Sequence, residues 1–192
     1  GRTLGDPACE TVHRMRASLI ETGLTSRHCA DLLAAFKQDA TKLRYKDWGE
    51  LMEYCRLSAA PVGRYLLDLH GGSRNGYAAA DALCMALQVI NHLQDCREDY
   101  LDLDRIYLPL DWMNAEGVSL DELSARRSSP ALRAVLDRTI EATRTLLSSA
   151  AVLPGGLSSR RLAMESGAIV AIAERLIKQL ERRDPLANRV EL

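Results

Sequence analysis

Aromatic side chains are scarce in this chain: its 192 residues include one Phe, two Trp and six Tyr, and runs of β-branched residues are nearly absent. A sheet-built core draws on those residue types, so their scarcity argues against one. A basic excess is lacking too. Against 26 Asp and Glu stand 25 Lys and Arg, and this balance sets nucleic-acid binding aside. Cys9, Cys29, Cys55, Cys84 and Cys96 are odd in number and form no C-x-x-C pair. Neither a disulfide framework nor a structural zinc site is expected, and a reducing compartment is. No apolar run reaches the roughly 18 residues that span a bilayer. The first ten residues hold no signal-type apolar core, and no glycine-rich phosphate loop occurs. These absences lead to the expectation of a cytoplasmic protein, at most peripheral to the inner membrane.

What is present is helical patterning. Leu, Ala and Arg are abundant, and apolar residues recur at helical spacing nearly throughout. The spacing predicts helices over 6–23, 25–45, 47–72 and 75–101, the third kinked at Pro61 and ended by Gly71 and Gly72. A loop or broken helix is expected over 102–118. Ser119 opens a capping pattern, Ser129 and Pro130 start a helix to about residue 147, and a last helix over 160–183 stops before Pro185. The predicted fold class is all-α, a helical bundle in one domain over 1–192.

The stretch "NHLQDCRED", residues 91–99, places Asn91, Asp95 and Asp99 four residues apart, directly after the apolar run "ALCMALQVI". On a helix, these three and Gln88 fall within roughly 80° of one another, each step of four rising about 6 Å. Ala82, Ala86, Val89 and Leu93 cover the opposite side, and no Lys or Arg lies in the stripe. Two readings follow from spacing alone. One is a solvated polar face on a mostly buried helix. The other is a set of oxygen ligands for Mg²⁺, a hard cation that serves phosphorylated substrates. One helix earlier, "YCRLSAAPVG" groups the small residues Ser58, Ala59, Ala60 and Gly63, which fit close helix packing or close ligand approach. Past the stripe, "DRIYLP" carries Arg105 and Tyr107.

The order of "YCRLSAAPVG", "ALQVINHLQDCREDY" and "DRIYLP" resembles the squalene/phytoene synthase family, all-α enzymes that join prenyl diphosphates head to head around a central cavity. The resemblance implies roles for individual residues. Asn91, Asp95 and Asp99 match the second aspartate-rich motif, which binds Mg²⁺ and the substrate diphosphate, and Gln88 matches a polar residue facing the same cavity. Tyr54 matches a tyrosine of the reaction centre. Ala59, Val62, Gly63 and Leu87 match positions lining the prenyl-chain tunnel, and Arg105 and Tyr107 match a segment near the site mouth. Gln94 stands where synthases that condense two farnesyl diphosphates commonly carry Arg. That difference is similar to the pattern of bacterial hydroxysqualene synthases of hopanoid biosynthesis, which ionise presqualene diphosphate and let water capture the cation.

The chain also departs from the family pattern. Upstream of Tyr54, the stretch "RHCADLLAAFKQDATKLRY" contains only the separated acids Asp31 and Asp39, with no counterpart of the first aspartate-rich motif. The family's last helix has no match either, so these residues are expected to hold half of a metal site. Two alternatives stay open: a family member condensing two farnesyl or other prenyl diphosphates to presqualene diphosphate, squalene or phytoene, and a non-catalytic protein of the same fold. The four histidines form no metal-ligand spacing and are read as surface or packing residues. Arg126–Arg127 and Arg182–Arg183 are read as solvated helix ends that also suit an anionic membrane surface.

Overall fold

The computed structural model describes residues 7–72, 74–187 and 190, and these are all-α apart from one isolated bridge. The helices are α1 (Pro7–Thr22), α2 (Arg27–Asp39), α3 (Trp48–Ser58), α4 (Ala60–Leu69), α5 (Tyr77–Gln94), α6 (Cys96–Leu103), α7 (Leu110–Ala115), α8 (Pro130–Ala150) and α9 (Arg160–Arg182). Short 3₁₀ turns join several of them. Asp6, placed at the first helix start from sequence, lies outside the described residues. The helix over 25–45 ends sooner than its pattern suggested, at Asp39.

Local chemistry accounts for most boundaries. Asp47 caps α3 by accepting from the Glu50 N–H at 2.8 Å, and Ser129 caps α8 by accepting from the Leu132 N–H at 3.1 Å, with Pro130 at the first position. Gly23, just past α1, takes φ +68°, the left-handed turn that ends many helices.

Two helices expected to be continuous are divided. At Ala59 the backbone leaves helical geometry (φ −126°, ψ −49°), and Pro61 sits in the first turn of α4 instead of kinking a helix interior. Proline has no N–H to continue the ladder, so α3 closes and α4 starts afresh. The second division falls at Asp95 (φ −106°, ψ 11°), between α5 and α6. Backbone bonds still cross it, Asp95 N–H to Asn91 O at 2.9 Å and Asp99 N–H to Asp95 O at 2.8 Å. The four-residue stagger of the acidic stripe therefore survives the break.

α5 is the central helix, packed by α3, α4, α8 and α9. Its N-terminal half is rich in alanine, and Ala79, Ala80, Ala82 and Ala86 are buried, which lets neighbouring backbones come close. Gly63 of α4 shows how close: a Cβ there would lie 2.8 Å from the Cys84 Sγ of α5. α8 buries Leu132, Val135, Leu136, Thr139, Ile140, Thr143 and Leu147, one stripe at helical spacing. The two buried threonines donate to the Val135 and Thr139 carbonyls at 2.8 and 2.7 Å, so neither hydroxyl is unpaired in the core. No helix among the described residues is long and apolar enough to cross a membrane.

Candidate functional site

The segment after α6 is held by the chain ahead of α3. Asp104 takes a left-handed conformation (φ 51°) at the end of α6 and pairs with Arg44. The Ile106, Leu110 and Asp111 N–H groups then donate to the carbonyls of Leu43, Tyr45 and Lys46 at 3.0 Å or less. Side chains alternate along this extended stretch. Ile106 and Leu108 go into the core, whereas Arg105 and Tyr107 turn toward α2, α3 and α5. Arg105 donates to the Asp39 carbonyl at 2.7 Å, closing the end of α2.

Four rings meet there. Tyr45 lies 5.2 Å from Tyr54 and 5.6 Å from Tyr107, measured between centroids, and Tyr54 lies 5.8 Å from Tyr107. His92 of α5 stacks on Tyr107 at 3.5 Å. Burial, the neighbouring Tyr107 and hydrogen bonding toward Asp39 all push the Tyr54 hydroxyl far above the ordinary phenol range. It therefore stays protonated, a hydrogen-bond donor at any working pH. Burial lowers His92 to about 3, which keeps its ring neutral. Four buried polar atoms in this cluster lack a protein partner: Asp39 Oδ1, Tyr45 Oη, His92 Nε2 and Arg105 Nε.

The acidic stripe borders the cluster. Asn91 is exposed, and Gln88, Asp95 and Asp99 are half-buried. Burial first, and then the like charge of Asp95, raise Asp99 to about 6, while Arg105 works in the opposite direction. The stripe thus acquires one cationic neighbour that linear spacing had not revealed. Among the described residues no three His, Cys, Asp or Glu side chains gather as a metal cage. The donor set is two carboxylates and an amide, all oxygen ligands. That set fits Mg²⁺, which is commonly held by one or two carboxylates together with water and substrate phosphates.

An apolar groove of about 180 Å³ starts one turn before the stripe, between α4, α5 and the first half of α9. Val62, Gly63, Cys84, Leu87 and Ile169 stand on its wall. Three of the four residues matched to a tunnel are therefore in it. The fourth, Ala59, is not on that wall but buried at the α3–α4 break, 8% exposed. Gln94, which served as a subgroup marker, donates its amide to the Val190 carbonyl and so tethers the far end of the chain. Sequence reasoning missed Asp39, Tyr45 and His92. Their positions in the chain carry no periodic signal, because a three-dimensional contact with residues 104–109 brings them in.

Fold and site together define a class: an all-α bundle whose central helix α5 lines an apolar groove and then carries an oxygen-rich stripe beside a cluster of buried phenols. Residues 3–192 match the squalene/phytoene synthase family, and the chain belongs to it. It is 46% identical over 188 residues to the hydroxysqualene synthase of Rhodopseudomonas palustris, covering 98% of this chain and 64% of that protein. With the hydroxysqualene synthase of Zymomonas mobilis it is 44% identical over 92% of this chain and 60% of the relative. The crystal structure of squalene synthase HpnC from Alicyclobacillus acidocaldarius superposes with a TM-score of 0.81 at 30% identity, over 88% of this chain and 64% of that one. The chain thus spans just under two thirds of the length of these relatives.

Proposed function

We propose that the chain acts in a hydroxysqualene synthase reaction, which ionises presqualene diphosphate and captures the rearranged cation with water. The observation that carries this reading is the Asp95–Asp99 pair, two carboxylates one turn apart with Asp99 raised to about 6, following the stretch of α5 that lines the apolar groove. Like charges held together in a partly buried place favour a cation. Relatives named hydroxysqualene synthase, at 43–46% identity, support the choice of reaction within the family.

Each residue then has a task. Asn91, Asp95 and Asp99 hold Mg²⁺, with Gln88 beside them. When bound, Mg²⁺ supplies positive charge that stabilises the departing diphosphate. Tyr54, kept protonated, donates a hydrogen bond to the oxygen that gains charge as the C–O bond breaks. Arg105 and Tyr107 hold the diphosphate at the pocket mouth. Val62, Gly63 and Leu87 seat the prenyl chain and keep bulk water from the cation, while Ala59 supports that wall from behind. A cytoplasmic enzyme touching the inner membrane peripherally suits a lipid product.

The test is product analysis of the full-length protein with Mg²⁺, offered presqualene diphosphate or farnesyl diphosphate. Hydroxysqualene from presqualene diphosphate supports the reading. Squalene or phytoene as the main product favours another synthase of the family. Asp95→Ala is expected to lower Mg²⁺-dependent diphosphate release by at least about a hundredfold, the scale of losing one electrostatic stabiliser. Unaltered turnover in that variant rejects the assignment of the stripe.

A further inference from the structure

His92 sits where packing alone calls for an apolar ring. It is 9% exposed, and its helix neighbours Val89, Ile90 and Leu93 are buried and apolar. The ring stacks on Tyr107 at 3.5 Å with planes 9° from parallel, and it lies 6.2 Å from Tyr54. A phenyl ring would serve those contacts equally well. The imidazole adds Nε2, which is buried and has no protein partner. An unpaired buried polar atom destabilises the fold relative to that phenyl ring, so the nitrogen is better explained by a partner that arrives with substrate.

We infer that His92 determines how the reaction ends, its Nε2 holding the one water that attacks the cation formed beside Tyr54 and Tyr107. This rests on the reading of the chain as a hydroxysqualene synthase. In the reaction the C–O bond to diphosphate breaks with its electron pair left on the diphosphate. The water oxygen forms the new C–O bond, and the surplus proton leaves with the released diphosphate. Nothing is oxidised or reduced. A hydrogen bond between Nε2 and the water, donated by the ring when Nε2 carries the proton and accepted by it when Nδ1 does, fixes the position of that water and leaves a lone pair to aim at the carbon. Without a held water the cation instead loses a proton to give a hydrocarbon.

The experiment measures hydroxysqualene, hydrocarbon products and released diphosphate for the full-length protein with presqualene diphosphate and Mg²⁺. His92→Phe keeps the stacked ring and removes Nε2. Hydroxysqualene formed per diphosphate released is expected to fall at least about tenfold, the worth of one good hydrogen bond, with hydrocarbon making up the balance. Should the Phe variant fail to fold, the same ratio is compared in His92→Gln and His92→Leu, the alcohol surviving better in Gln. A wild-type ratio in Phe, or equal ratios in Gln and Leu, overturns the inference and leaves His92 as a packing residue. Absence of hydroxysqualene from the wild-type protein would instead overturn the underlying reaction assignment.

Discussion

Replacing Asp99 by Asn should make the metal-free protein more stable while removing its response to Mg²⁺. The carboxyl titrates at 3.8 in an unfolded chain and at about 6 here, pushed up first by burial and then by Asp95. Between those two values the native state holds a proton that the unfolded chain has lost. Stability therefore falls as pH rises through the window, and the whole penalty is present above about pH 6. At 1.36 kcal/mol per tenfold change the shift corresponds to about 3 kcal/mol. Asp99 is only half-buried, so solvent screening reduces this to about 1–2 kcal/mol. Asn keeps the shape and removes the penalty, against a small loss of attraction to Arg105. Urea unfolding of the full-length protein without divalent cation measures the difference. At about pH 7.5 the Asn variant should be more stable by about 1–2 kcal/mol, and at about pH 4 the two proteins should converge. Mg²⁺ with a diphosphate analogue should then raise the melting temperature of wild type and not of the variant. A variant that is less stable at the higher pH, or a gain that persists unchanged in acid, would refute this account of the stripe.

Two further substitutions test the packing that positions the site. Gly63→Ala drives a Cβ to 2.8 Å from the Cys84 Sγ, and overpacking of this kind costs about 1–3 kcal/mol. The denaturation midpoint should drop, and a second change, Cys84→Ala, should restore much of it; a neutral Gly63→Ala would show that α4 and α5 shift apart freely. Asp47→Ala loses the cap on the Glu50 N–H and should cost about 0.5–2 kcal/mol. Because α3 carries Tyr54, diphosphate release should fall along with stability, and unchanged values of both would remove the cap from the account.

The helices were legible because their signals are local. The Ser129–Pro130 start, the stop at Gly23 and the apolar stripe of α8 all depend on residues within a few positions of one another. The breaks at Ala59 and Asp95 were less so. A proline mark or an acidic run does not say whether a helix bends or ends, since neighbouring helices select between those outcomes. Asn91, Asp95 and Asp99 were readable as a stripe because a four-residue period survives even across the division of α5 from α6.

The sequence by itself determined an all-α chain with an oxygen-rich stripe on an otherwise apolar helix, since composition and periodicity act over a turn or two. Only the tertiary structure decided what that stripe faces. The pairing of residues 43–46 with 106–111 turns Arg105 and Tyr107 inward, sets Arg105 near Asp99, and stacks Tyr107 on His92. Tertiary packing likewise bonds Gln94 to Val190 and leaves Ala59 off the groove wall. The physical reason is distance along the chain. Electrostatic and stacking partners tens of residues apart leave no periodic trace, and they meet only when backbone hydrogen bonds between remote segments fix which side of each strand or helix looks inward.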